Sequence, residues 1–100
     1  MAKRSKSKKT KSLLQQVCHP DAAGIDLGAT EFYVAIGKER AAAAGEKSSV
    51  KVFSTFNSGI AEAIVWMKEH EVKTVAMEST GNYWVALYDQ LVAAKFDVFL

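Results

Sequence analysis

Gly24-Ile25-Asp26-Leu27-Gly28-Ala29-Thr30-Glu31-Phe32-Tyr33-Val34-Ala35-Ile36 is the stretch that decides the fold of this 100-residue chain. Residues 22–28 are small and apolar at successive positions, the pattern of a strand covered on both faces. From Thr30 onward the pattern alternates, with Phe32, Val34 and Ile36 on one face and Thr30, Tyr33 and Ala35 departing from it only mildly. Gly28-Ala29 between the two runs reads as a tight hairpin. Inside the first run stands Asp26, and a carboxylate among apolar neighbours is costly to bury unless a cation or a hydrogen-bonding partner offsets the cost.

Outward from this hairpin, residues 38–49 are charged and small, with Ala41-Ala42-Ala43-Ala44-Gly45 in the middle, and read as an exposed hairpin connection with room for one helical turn. Val50, Val52 and Phe53 mark a third strand to about Thr55. Asn57 or Ser58 is the expected cap of a helix to about Glu71, with Ile60, Ile64, Met67 and Glu71 on one face and Ala63 and Trp66 beside them. Lys73–Glu78 alternates as a fourth strand. Residues 81–94 form a second helix with a stripe of Trp84, Leu87, Tyr88 and Leu91, and Asp97 to Leu100 begins a fifth strand. The predicted order is β-β-β-α-β-α-β, an α/β fold. Three strands joined by short turns form an antiparallel meander, and the strand–helix–strand units pair in parallel with right-handed crossovers. Placing the fourth strand beside the first gives a mixed sheet whose first, fourth and fifth strands run parallel.

Charge is distributed unevenly along this frame. Lys3, Arg4, Lys6, Lys8, Lys9 and Lys11 fall within residues 3–11 without an acid, leaving seven basic against eleven acidic residues elsewhere. Residues 1–20 are therefore expected to be a solvated basic tail and linker, and residues 21–100 the folded part. Such a tail either keeps the chain soluble or attracts nucleic-acid phosphates by displacing counterions. Cys18 is the single cysteine, so no internal disulfide forms, and a reducing cytoplasm is the expected compartment. Cys18-His19 lacks the partners of a zinc site, His70 being the only other histidine. No stretch has the length and apolarity of a membrane span.

The chemistry concentrates in two acids. Asp26 and Glu78, the latter in Val75-Ala76-Met77-Glu78-Ser79-Thr80-Gly81, each fall at the C-terminal edge of a strand. With the first and fourth strands adjacent they meet at the sheet end where open α/β sheets bind ligands. Carboxylate oxygens suit Mg²⁺ or Mn²⁺, and such ions activate the attacking oxygen and stabilise the leaving one in phosphodiester chemistry. Asp89 and Asp97 are poorly placed to join them. Thr80 suits a helix cap, Tyr83 suits either stacking on bases or packing against the sheet, and Trp84 suits packing of the helix on the sheet.

Residues 24–36, together with Val75-Ala76-Met77-Glu78-Ser79-Thr80-Gly81-Asn82-Tyr83-Trp84 and Leu87-Tyr88, resemble the N-terminal domain of DEDD insertion-sequence transposases, relatives of the Piv DNA invertase. The resemblance covers about residues 22–100 and implies an RNase H-like fold of the RuvC type. It implies that the first two family acids are Asp26 and Glu78, holding Mg²⁺ or Mn²⁺. It further implies DNA as partner, a structured guide RNA, and homo-oligomers of the full-length family members. The family's two later aspartates and its serine-bearing C-terminal domain have no counterpart in these residues, so the expectation is a fragment that does not catalyse transposition alone. Two other readings stand beside it. Asp26-Leu27-Gly28-Ala29-Thr30 also resembles the first phosphate loop of actin-like ATPases and sugar kinases, although no second glycine-rich loop follows. A non-catalytic nucleic-acid-binding remnant held by its basic tail is the third.

Overall fold

A computed structural model describes residues 21–78 and 84–100. Its elements are β1 (Ala22–Leu27), β2 (Glu31–Ile36), α1 (Lys38–Ala43), β3 (Val50–Ser54), α2 (Asn57–Glu69), β4 (Thr74–Met77), α3 (Trp84–Ala93) and β5 (Asp97–Phe99). The strands form one five-stranded sheet in the order β3-β2-β1-β4-β5. β1, β2 and β3 are antiparallel neighbours, whereas β4 pairs in parallel with β1 and with β5. The expected mixed α/β sheet, with β4 beside β1, is the observed one.

Register explains which side chains make the core. Ala23, Ile25 and Leu27 of β1 lie opposite Ile36, Val34 and Phe32 of β2, and Ala23 and Ile25 lie beside Val75 and Met77 of β4. Side chains in register share a face. That face is sealed by Ile60, Ala63, Trp66 and Met67 of α2 and by Leu87 and Leu91 of α3, all within one buried cluster. Trp84 and Tyr88 pack against it in part, their rings edge to face at 6.0 Å. The stripe of α3 and the apolar face of α2 thus do what their periodicity predicts. β1 is buried from Ala23 through Asp26, as its continuous small-apolar run requires.

Three local expectations change. The 38–49 connection contains a six-residue helix, α1, because the alanines after Arg40 favour helix and Ala41 drops into the core. The first turn of α2 has no side-chain cap: Phe56 occupies the capping position, and Asn57 instead accepts a hydrogen bond from Gln90 on α3. Glu71 does not extend the face of α2, since the helix ends at Glu69 and Glu71 turns into the left-handed region at φ 59°.

The three helices among the described residues end in the same way. In α1, Gly45 N–H reaches Ala42 C=O and Glu46 N–H reaches Ala41 C=O. In α2 the same two bonds run from Glu71 to Lys68 and from Val72 to Met67, and in α3 from Lys95 to Val92 and from Phe96 to Leu91. This is the Schellman pattern, with a left-handed residue just past each helix. Gly45, Glu71 and Lys95 hold φ of 80°, 59° and 75° there. In α2 and α3 the following residue, Val72 or Phe96, returns the chain to the core.

Candidate functional site

β1 carries Asp26 into the sheet one residue before its C-terminal end. Its residue is 8 % exposed, one of two buried polar or charged residues among those described. Ile25 pairs with Met77 as the last pair of the parallel β1–β4 ladder; Asp26 follows Ile25 within β1, and Glu78 follows Met77 just past the end of β4. Neighbouring strands are about 4.8 Å apart. Asp26 lies near the C-terminal end of β1 and Glu78 directly follows the C-terminal end of the parallel neighbour β4, where it is partly buried. Asp26 shares its sheet face with Tyr33, its partner across the β1–β2 pair. This is the face opposite α2 and α3.

The rim beside Asp26 is braced. Gly28 N–H donates to Glu31 C=O at 2.9 Å, closing the β1–β2 turn. Thr55 ties the same turn to the end of β3, its N–H donating to Thr30 C=O at 3.0 Å and its hydroxyl to Ala29 C=O at 3.2 Å. Asp26 is thereby held on a strand flanked on both sides and followed by a pinned turn, the rigid support a ligand-binding carboxylate requires.

As to metal, the described residues contain no group of three or more His, Cys, Asp or Glu side chains able to hold an ion together. Asp26 and Glu78 alone are a set of two hard oxygen donors. Such a pair suits Mg²⁺ or Mn²⁺ that keeps several waters, and does not make an all-protein cage. The other acids lie elsewhere: Asp89 is exposed on α3, and Asp97 pairs with Thr74 at the opposite end of β4. Lys3, Arg4, Lys6, Lys8, Lys9, Lys11, Thr80 and Tyr83 fall outside the described residues.

A second polar cluster went unread in the sequence. His70, 7 % exposed at the end of α2, has its Nε2 2.7 Å from Glu46 Oε2, and Trp66 Nε1 donates to the same oxygen at 3.1 Å. A carboxylate only accepts, so His70 Nε2 carries the hydrogen. These bonds, that from His70 first and that from Trp66 second, hold the Glu46 carboxyl below the usual glutamate range. The Trp66 and His70 rings meet edge to face at 4.9 Å. Arg40 donates to His70 C=O at 2.8 Å and lies 3.9 Å from Asp21, which precedes β1. The cluster sits at the end of the sheet away from Asp26 and fastens the α1–β3 connection to α2. Its signal in the sequence is the i, i+4 spacing of Trp66 and His70 on one helical face.

No protein-family model matches this chain, and no curated protein matches it. No helix among the described residues is long and apolar enough to cross a membrane.

Proposed function

We propose that this chain carries a metal-binding acid pair of an RNase H-like domain of the DEDD transposase kind, acting on DNA phosphodiesters in the cytoplasm. The observation that supports the reading is the parallel β1–β4 register ending at Ile25 and Met77, after which Asp26 and Glu78 follow at the sheet end where open α/β sheets bind ligands. Asp26 and Glu78 are the residues that hold Mg²⁺ or Mn²⁺. The ion, when bound, supplies charge stabilisation to a phosphodiester oxygen. The chain's own part is to present two adjacent oxygen donors from a buried, braced strand and its neighbour. In the family this chain resembles, later aspartates add further ligands beside this pair. The basic run from Lys3 to Lys11 supplies attraction to DNA or to a structured guide RNA, and Tyr83 a stacking surface.

The phosphate-loop reading is less well supported, because the Gly28 amide is already committed to Glu31 C=O within the turn. The test of the main reading is a titration of Mn²⁺ into the protein, followed by electron paramagnetic resonance, for the natural chain and for Asp26→Asn and Glu78→Gln. Loss of an outer-shell partner costs about 10–100-fold in metal affinity, so removal of a ligand is expected to cost at least as much. Unchanged affinity in both variants eliminates the shared site.

A further inference from the structure

Among the described residues β3 is an edge strand, and its hydrogen bonds with β2 reveal which of its backbone groups face outward. Ile36 N–H donates to Ser49 C=O and Thr55 N–H to Thr30 C=O, so the residues of β3 bonded to β2 are those in step with 49 and 55, namely Lys51 and Phe53. Val50, Val52 and Ser54 turn their N–H and C=O groups to the open edge. Val50 N–H is taken by Ser48 Oγ at 3.1 Å, which leaves Val52 at the centre of the open row. The Val52 side chain is 47 % exposed, on the face away from the helices.

On the helix face, the same edge is flanked by a groove of about 460 Å³ between β3 and α2, lined by Lys51, Phe53, Glu62, Val65, Trp66 and Glu69. Val65 is 56 % exposed there. A lysine in an edge strand ordinarily deters pairing. Here the Lys51 ammonium lies over the Phe53 and Trp66 rings, 5.7 Å from each centroid, and so leaves the strand edge itself uncovered.

We propose that two copies of this chain pair through β3 about a two-fold axis at Val52, joining their sheets into one. The edge is self-complementary in that register. Val52 of each copy exchanges N–H···O=C bonds with Val52 of the other, and each Ser54 N–H meets the second copy's Val50 carbonyl. Lys51 of one copy then stands opposite Phe53 of the other, at the groove where Glu62 and Glu69 supply two carboxylates. The charge match is reciprocal, as a two-fold interface requires. Across the axis the exposed Val52 side chains cover one another, and the Val65 flanks of the two α2 helices approach. This surface is distinct from the Asp26–Glu78 end and stands whether or not that site binds metal.

Sedimentation equilibrium of the full chain, freed of nucleic acid, tests the proposal over a range of concentrations. The expected result is a species of twice the chain mass. Val52→Pro removes the central outward donor without breaking a bond to β2, a position where an edge strand tolerates proline. Val52→Lys sets two like charges across the axis on an already exposed position. Both variants are expected to sediment as monomers, and the far-ultraviolet circular dichroism of Val52→Lys should match the natural chain. A natural chain that remains monomeric at every concentration overturns the proposal, as does a dimer that survives Val52→Lys in a folded protein.

Discussion

Replacing Glu71 with glycine is expected to stabilise this protein, although it deletes a charged side chain and adds no contact. Glu71 and Lys95 occupy, at φ 59° and 75°, the left-handed position that Gly45 fills after α1. A left-handed conformation costs a residue with a β-carbon about 1–2 kcal/mol. Glycine avoids that cost but gives up roughly 0.5–1 kcal/mol in backbone entropy, which leaves a net gain of about 0.5–1 kcal/mol for Glu71→Gly. Charge separates the two sites. A carboxylate just past a helix C-terminus opposes the helix dipole and an ammonium complements it, each by about 0.3–1 kcal/mol at an exposed position. Both side chains are exposed, so Glu71→Gly should gain more than Lys95→Gly, which lands near neutrality. Gly45→Ala should lose about 1 kcal/mol for the converse reason. Urea unfolding followed by circular dichroism measures the three, with an unchanged denaturant slope as evidence that only stability has moved. A gain of 1 kcal/mol raises the melting temperature of a domain this size by about 4–8 °C. The reasoning is refuted if Glu71→Gly destabilises the protein, or if Lys95→Gly gains more than Glu71→Gly.

Other outcomes follow from packing and charge. A β-carbon on Gly59, in the first turn of α2, would overlap the Ser54 carbonyl and hydroxyl, so Gly59→Ala must push α2 off β3. Overpacking of this kind costs about 1–3 kcal/mol, and a urea midpoint equal to the natural protein's would contradict the close approach. Because the folded Glu46 carboxyl is held below its ordinary value of 4.5, chiefly by the His70 hydrogen bond and then by that from Trp66, its contribution to stability is present above that value. It is lost as pH falls through the lowered folded value. Urea midpoints should therefore fall more steeply below pH 4.5 in the natural chain than in Glu46→Gln, and parallel curves would exclude the linkage. Deleting residues 1–11 should weaken DNA binding and flatten its salt dependence, as measured by fluorescence anisotropy at several ionic strengths. An identical salt slope would assign the run a solubilising role alone.

Much of the architecture was legible because strands and helices carry periods of different length. Phe32, Val34 and Ile36 alternate and are buried together, and Leu87 and Leu91, one helical turn apart, both reach the core. α1 was harder to read, since six residues, half of them alanine, carry too little pattern to distinguish a helix from a loop with one turn. The missing cap on α2 shows the limit of local rules: Asn57 has the chemistry of a capping residue, but it begins the helix and its side chain bonds to Gln90, 33 positions later. The Glu46–His70–Trp66 cluster was missed for the same reason. Trp66 and His70 share the i, i+4 spacing of one helical face, but Glu46 lies 20 and 24 positions away and no periodicity links it to them.

For Asp26 and Glu78 the division is clear in physical terms. Composition and alternation suffice to place each acid at the end of a strand, because those properties depend on a residue's nearest neighbours along the chain. Their adjacency depends on β4 inserting beside β1 in the register Ile25 to Met77. That choice is made by the burial of α2 and α3 against a single sheet face, a free energy spread over the whole molecule. The same tertiary packing leaves β3 at the edge with Val52 outward, a property that no window of sequence contains.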